Sequence, residues 1–150
     1  MTEKENLLGI VKLRVSELAA EAKAAMDAAQ DAANSEGKSS MGDKYETGRA
    51  MAQLDRDMYA RRYHQIVQDL ALLERIEKAV AASGQVQPGS LVGTSFGKIL
   101  IAVSLGAIQT AGGKVLVVSA QSPLGKSLLG KTAGGSFVFQ GKGHTVEWIR

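Results

Sequence analysis

Residues 34–42 read NSEGKSSMG and divide the first half of the chain into two long helical segments. The stretch combines two glycines with serines and an asparagine, which favour turns, and its one large apolar side chain is that of Met41. The segments on both sides have helical patterns without proline. The stretch therefore predicts the tip of a helical hairpin, between about Asn34 and Asp43.

The segment before the tip has apolar residues at spacings of three and four, which is the pattern of a coiled-coil seam. These residues are Leu8, Val11, Val15, Leu18, Ala22, Ala25, Ala29 and Ala32. Ala, Glu, Lys and Leu fill most of the other positions and favour helix interiors. We expect one continuous helix from near the N-terminus to the tip.

After the tip, Met51, Leu54 and Met58 form one apolar stripe, and a second stripe begins one residue later. The second stripe consists of Tyr59, Tyr63, Ile66, Leu70, Leu73 and Val80. Antiparallel pairing about residue 40 would place Ala29 opposite Met51 and Ala25 opposite Leu54. Small residues opposite large ones allow a close approach of the helices, so we expect a slender arm near the tip.

The sequence changes character after Ser83 and Gly84, which end the second helix. Most of the 17 glycines follow, among short runs of strand-forming residues. The predicted strands are 91–95, 98–105, 114–119, 135–140 and 144–149. We therefore expect an α+β chain, with a helical hairpin over residues 1–83 and a small β-rich domain over residues 84–150.

One short helix is expected within the β-rich domain. Ser122 is a typical N-cap residue, and Pro123 suits the first helical position. Leu124 and Leu128 give this helix an apolar face, and Gly130 closes it.

The formal charge of +3 is unevenly distributed along the chain. Residues 84–150 contain six basic residues and one acid, a formal charge of +5, which leaves −2 for the remainder. A basic domain suggests a polyanionic or acidic partner, although its lysines could also serve solubility alone.

Several functional classes are excluded by composition. The chain has no cysteine, so disulfides, zinc ribbons and thiolate nucleophiles are excluded. No apolar run approaches the roughly 20 residues of a membrane span, and the charged N-terminus lacks a signal-peptide core. We expect a cytoplasmic monomer without a membrane partner.

Two carboxylates, Asp43 and Glu46, lie at spacing three beside the tip, which places them on one helix face. Together they could contribute to a Mg²⁺ site, because Mg²⁺ takes one or two carboxylates and completes its shell with water and phosphate. The same spacing is also that of a helix capping box, and the sequence leaves both interpretations open.

Three basic residues near the tip, Lys38, Lys44 and Arg49, are candidates for contacts with nucleic-acid phosphates, with a solvated surface as the alternative. His64 and His144 have no potential metal ligands at suitable spacings, so a solvent contact or an ordinary hydrogen bond is expected for both.

Three features together resemble the Gre family of bacterial transcription elongation factors, which promote transcript cleavage. They are the long hairpin, the GDxxE sequence at its tip (residues 42–46) and the sequence SPLGKSLLGK at residues 122–131. Members of this family have an FKBP-like C-terminal domain that carries an SPxxxxLxGK motif. The similarity extends over essentially the whole chain, and the C-terminal motif is its more specific part.

The resemblance implies an accessory factor and not an independent enzyme. The arm would enter the secondary channel of bacterial RNA polymerase, where Asp43 and Glu46 would help to hold the second Mg²⁺ during cleavage of the 3′ end of backtracked RNA. No metal would be bound by the isolated protein. The FKBP-like domain would dock at the channel entrance. The polymerase-binding segment would comprise Ser122, Pro123, Leu124, Gly125 and Lys126.

The sequence around the tip acids departs from the usual family sequence, which reads like GDLSENAEY. The residues that replace most of it are Lys44, Tyr45, Thr47, Gly48 and Arg49. The β-rich domain is also shorter than in better-known members. These departures indicate a divergent lineage and leave open a non-catalytic regulator that occupies the channel and inhibits polymerase. A third interpretation is a coiled-coil adaptor unrelated to transcription.

Prolyl isomerase activity is not expected, although the FKBP-like resemblance raises it. Aromatic residues make up 5% of the chain, and the sequence indicates no aromatic-lined pocket.

Overall fold

The computed structural model of the chain describes residues 2–36, 42–79 and 84–150, and for Glu36 and residues 42–46 it describes the backbone alone. Two long helices are followed by a six-stranded sheet with one short helix. The elements are α1 (Glu3–Glu36), α2 (Gly42–Lys78), β1 (Leu91–Thr94), β2 (Gly97–Ala102), β3 (Gly106–Thr110), β4 (Gly113–Ser119), α3 (Pro123–Leu128), β5 (Ser136–Phe139) and β6 (Lys142–Ile149). This order confirms the predicted α+β class and its hairpin-like pair of N-terminal helices.

The start of α1 is fixed by a reciprocal capping box. The Thr2 hydroxyl accepts a hydrogen bond from the Glu5 N–H, and the Glu5 carboxylate accepts one from the Thr2 N–H, both at 3.1 Å. These bonds satisfy backbone donors that a helix start would otherwise leave unpaired. Helix α1 continues past Asn34, the predicted beginning of the tip, to Glu36. Among the described residues, no helix is long and apolar enough to cross a membrane.

The chain forms two compact units. The sheet unit consists of Met1–Lys12 and Ala71–Arg150, and the arm unit consists of Leu13–Leu70. The ends of both long helices thus belong to the same unit as the strands.

The α1 seam within the arm unit is buried or half-buried over most of its predicted length. Val15 and Ala22 are 3% and 4% exposed, respectively. Near the end of the helix the buried residue is Ala33, whereas the predicted Ala32 is exposed. The spacing of inward positions therefore lengthens to a step of four, from Ala29 to Ala33.

In the N-terminal half of α2, the residues that form the seam differ from those predicted. Met51, Leu54 and Met58 are 56%, 62% and 48% exposed, so their stripe does not form the seam. Ala52 and Arg56 are half-buried and take its place. The predicted pairing of Met51 and Leu54 with the alanines of α1 is therefore wrong. The second predicted stripe is buried or half-buried at Tyr59, Tyr63, Ile66, Leu70 and Leu73.

The six strands lie in the order β3-β4-β2-β1-β6-β5. Strands β2 and β4 are parallel, and the other neighbouring pairs are antiparallel. One core cluster joins the sheet to α3 and comprises Val86, Val92, Ile99, Ile101, Leu124, Leu128, Phe137 and Val146. Leu91 and Leu100 alternate with these residues along their strands and are also fully buried. Both faces of the central strands are therefore covered.

The link between the helix ends and the strands is partly ionic. The Glu3 carboxylate contacts the Lys98 Nζ at 2.5 Å and the Arg150 Nη1 at 3.4 Å. A Cβ on Gly89 would lie 3.0 Å from the Ile76 side chain, which shows how closely the end of α2 approaches the strands.

Strand β3 is the element that the sequence analysis missed. Residues 98–105 are predicted as one strand, but β2 ends at Ala102 and the chain turns before Gly106. Gly106 has φ of 91°, a backbone conformation that side chains disfavour, and it begins a new strand antiparallel to β4. The remaining predicted strands are confirmed with small changes of boundary.

Candidate functional site

The tip acids belong to the beginning of α2. Asp43 and Glu46 directly follow Gly42, the first residue of the helix. Their side chains, and that of Lys44, lie outside the described part of the chain, as does Lys38 altogether. Arg49 is described and is exposed to solvent.

The chemistry of the tip acids fits a partial magnesium site. Two carboxylates are a sufficient protein contribution to Mg²⁺ when water and phosphate oxygens complete the shell. Among the side chains that the structure describes, in residues 2–35, 47–79 and 84–150, no three of His, Asp or Glu form a metal-binding group. A Mg²⁺ site at Asp43 and Glu46 would need further oxygen ligands, such as those of water, a partner or a substrate phosphate.

The start of α3 is organised around Ser122. Its hydroxyl accepts a hydrogen bond from the Gly125 N–H at 3.0 Å and donates one to the Ser119 carbonyl at 2.7 Å. Pro123 follows at the start of the helix, where its missing N–H carries no penalty. The predicted N-cap and the predicted proline position are confirmed.

Two further residues of this segment hold α3 against the sheet. Leu124 is 3% exposed and packs in the core cluster. Gly125 is also buried, and a Cβ at this position would lie 2.1 Å from the Ser119 carbonyl oxygen. No side chain fits in that space, so Gly125 allows the helix to lie directly on the end of β4.

The other two residues of the segment are exposed. Pro123 and Lys126 are accessible to solvent, whereas Leu124 and Gly125 are buried. Of the five residues that the resemblance implies as the polymerase-binding segment, these two present their side chains most fully to a partner.

An aromatic cluster lies on another part of the sheet unit. The ring centroids of Phe96 and Phe139 are 5.0 Å apart, and those of Phe96 and His144 are 5.4 Å apart, both with edge-on geometry. The Phe137 and His144 centroids are 5.5 Å apart. His144 Nδ1 also lies 3.5 Å from the Ser95 hydroxyl oxygen. All three phenylalanines of the chain thus belong to one cluster with His144.

Sequence spacing does not reveal this cluster. Phe96 lies in the turn between β1 and β2, whereas Phe137 and Phe139 lie on β5. The residues meet only because β1 pairs with β6 and β6 pairs with β5. The excess of phenylalanine in one half of the chain is the only sequence signal that points to it.

The resolved pKa shifts lie outside these candidate sites. Burial raises the pKa of Asp69, and a hydrogen bond from the Gln65 side chain partly opposes that shift. Burial lowers the pKa of Lys4, near the start of α1. Both shifts have desolvation as their main cause.

Comparison with known protein families gives no match for this chain, and comparison with curated proteins gives none either. The function is therefore argued from two features of the chain itself. The first is the acidic start of α2, and the second is the exposed side of α3 in the basic half of the chain.

Proposed function

We propose that this protein is an accessory transcription factor of bacterial RNA polymerase, similar in action to the Gre factors. The helical hairpin enters the secondary channel of the polymerase and brings Asp43 and Glu46 to its active site. There the two carboxylates support cleavage of backtracked RNA by the polymerase. The protein itself is not an independent enzyme.

The observation that carries the proposal is the length of the two helices together with the position of the acids. At about 1.5 Å per residue, helices of 34 and 37 residues extend for roughly 50 Å each. A self-contained domain of this size has no need of such long helices. Asp43 and Glu46 lie where the second helix begins, which is the end of the hairpin.

The chemistry requires more ligands than the two acids. Polymerase supplies further carboxylates, and the RNA supplies the phosphodiester that is to be cut. Two metal ions stabilise the attacking and the leaving oxygen of such an in-line displacement. The contribution of Asp43 and Glu46 is to raise the occupancy of the second Mg²⁺ during backtracking.

The sheet unit is assigned the docking role. Its strand-rich part, residues 84–150, carries a formal charge of +5 and presents Pro123 and Lys126 on the exposed side of α3. We assign it an FKBP-like role at the channel entrance, where a basic surface favours association with acidic groups of the polymerase.

A second candidate function is a channel-occupying inhibitor with the same fold. The basic residues around the tip acids favour it, because Lys44 and Arg49 replace neutral or acidic residues of the family sequence. Positive charges close to the carboxylates oppose the binding of a cation. Under this alternative the arm still enters the channel but does not support cleavage.

A cleavage assay on halted elongation complexes tests the proposal. The double variant Asp43→Asn with Glu46→Gln retains side-chain size and hydrogen-bonding capacity but removes both charges. We expect RNA shortening to fall steeply while binding to polymerase remains nearly unchanged. Loss of helix capping would cost at most about 1 kcal/mol, so the variant should remain folded. Higher Mg²⁺ concentration should restore part of the activity, because amides are poorer Mg²⁺ ligands than carboxylates.

The matched control is Asp55→Asn with Glu74→Gln, which removes two exposed charges from the same helix. This control variant should promote RNA cleavage by the polymerase as well as the parent protein does. If the tip variant and the parent promote cleavage equally, Asp43 and Glu46 serve only as a helix cap. If the parent binds polymerase, does not promote cleavage and slows RNA synthesis, the inhibitor is the correct function.

A further inference from the structure

A concavity in the sheet unit has no role in the proposed polymerase function. It measures about 350 Å³ and is lined by Phe96, Gly97, Lys98, Ala107, Lys114 and Leu116. This volume lies within the range of small-ligand pockets, roughly 300 to 1,000 Å³. Its lining combines an apolar floor with an aromatic ring and two lysines.

The aromatic ring is held in place while part of it remains open. Phe96 lies in the turn between β1 and β2 and is 40% exposed. The edge-on contacts with Phe139 at 5.0 Å and with His144 at 5.4 Å fix its orientation. A ring that is already oriented provides a stacking surface at little cost in conformational entropy.

The two lysines have different environments. Lys98 is engaged, since its Nζ contacts the Glu3 carboxylate at 2.5 Å and the Gly112 carbonyl at 3.3 Å. Lys114 is exposed, and the structure records no ion pair for it among the described residues. Lys114 is therefore the cation that is available to an anionic ligand.

The surrounding charge favours an anion. The described residues that line this concavity include no acid. The larger concavity of the sheet unit, about 700 Å³, is different, because Glu3, Glu5 and Glu77 line it together with Lys4 and Arg150. Of these two concavities, the smaller one combines an open aromatic ring with a lysine for which the described residues show no ion pair.

We propose that this concavity binds a nucleotide unit, with the base stacked on Phe96 and the phosphate contacted by Lys114. The nucleotide is either free or part of a single strand, since both present the same base and phosphate. Aromatic rings beside a basic groove bind single-stranded nucleic acid in this manner, without strong sequence preference. The open ring favours this ligand over an acidic peptide, which would use the lysine but not the stacking surface. The proposal is independent of the cleavage function.

Fluorescence anisotropy with a short labelled oligouridylate and the full-length protein tests the stacking contact. Phe96→Leu keeps an apolar side chain of similar bulk but removes the aromatic face, so binding should weaken by about tenfold. Phe96→Tyr retains the ring and should bind within about twofold of the parent. Because both variants keep a large apolar side chain at this position, the difference between them reports the loss of the aromatic face.

The lysine is tested by the salt dependence of the same binding. Lys114→Gln should weaken binding and reduce the slope of log K against log salt by about 0.7, the value for one phosphate contact with a single strand. Lys131→Gln, in the same half of the chain but outside the concavity, is the control and should leave the slope close to that of the parent. Competition with unlabelled uridine monophosphate distinguishes the two sources of the nucleotide. Full displacement indicates a free nucleotide, and displacement by oligonucleotide alone indicates a single strand.

Three outcomes would overturn the proposal. The first is equal affinity of Phe96→Leu and the parent, which would remove the stacking contact. The second is an unchanged salt slope in Lys114→Gln. The third is displacement of the oligonucleotide by an oligoglutamate peptide at equal charge concentration, which would make the surface a general anion-binding or acidic-peptide site.

Discussion

Gly125 is the residue at which α3 approaches the sheet most closely. Its Cβ position lies 2.1 Å from the Ser119 carbonyl oxygen, which is backbone and cannot rotate away. The same carbonyl accepts the Ser122 hydroxyl, so a shift of α3 would also break the N-cap. The small size of Gly125 thus allows α3, with Pro123 and Lys126 on its exposed side, to pack in a fixed position against β4.

Replacement of Gly125 by alanine should therefore destabilise the protein. We expect a loss of about 2 kcal/mol or more, because an added methyl group must displace α3 from β4. Thermal unfolding followed by circular dichroism measures the loss.

The control is Gly9→Ala in α1, where nothing lies within 4 Å of the added Cβ. Removing a helical glycine from an exposed site should stabilise the protein by about 0.5 to 1 kcal/mol. A Gly125→Ala variant as stable as the parent would show that α3 does not rest on β4 as closely as described.

For single residues, the sequence predicts a structural role when the cause of that role lies in neighbouring residues of the chain. The Ser122 cap and the Pro123 position follow from neighbouring residues and were predictable. The constraint on Gly125 arises from β4, and the cluster of Phe96 with Phe139 arises from strand pairing. Neither cause is visible in the residues nearby, because both depend on the tertiary fold.

At the scale of a helix, one seam of the arm unit was predictable from the sequence and the other was predictable only in part. The α1 seam was predictable because its apolar residues leave a clear pattern of threes and fours. On α2 the larger apolar residues Met51 and Leu54 face solvent, whereas Ala52 and Arg56 occupy the inward positions. Hydrophobicity alone selects the wrong stripe, because the regular spacing of threes and fours continues from Tyr59 back through Arg56 and Ala52, neither of which is a large apolar residue.

Arg56 is an unfavourable residue in that seam. Its Nε is buried without a hydrogen-bond partner among the described residues, and its Nη1 lies 3.5 Å from the adjacent Asp57. An unsatisfied buried donor costs about 1 to 3 kcal/mol. The arm is therefore less stable at this point than an apolar seam would make it.

We predict that Arg56→Leu stabilises the protein by about 1 kcal/mol, since it replaces the unsatisfied donor with an apolar side chain of good helix propensity. The midpoint temperature of thermal unfolding, measured at several protein concentrations, gives the change in stability. Arg61→Leu, at an exposed position of the same helix, is the control and should change the midpoint little. A lower midpoint for Arg56→Leu would show that the guanidinium group contributes to the seam.

At the scale of the whole molecule, the two parts of the chain carry opposite net charges. Residues 84–150 carry +5 and the remainder carries −2. This division was visible in the sequence, as was the order of helices before strands. The sequence did not reveal that both helix ends belong to the sheet unit, because this depends on contacts such as those of Glu3 with Lys98 and Arg150. Removal of residues 84–150 would therefore expose the helix ends as well as delete the strands, so point variants are the better test of docking.

The proposed docking role of the sheet unit predicts the effect of a charge reversal on polymerase capture. Lys126→Glu combined with Pro123→Ala changes two exposed side chains and leaves the Ser122 cap and Gly125 in place. We expect capture of polymerase by the full-length protein to weaken by at least about tenfold, the loss typical of central contact residues. Surface-immobilised binding kinetics provide the measurement.

The control Lys142→Glu makes the same change of net charge at another exposed lysine of the sheet unit. Both variants should associate more slowly, because each weakens the long-range attraction to an acidic partner. Only the α3 variant should also dissociate faster, since short-range contacts determine the dissociation rate. If the two variants dissociate at the same rate, the polymerase contact lies elsewhere in the chain, and the exposed side of α3 contributes charge alone.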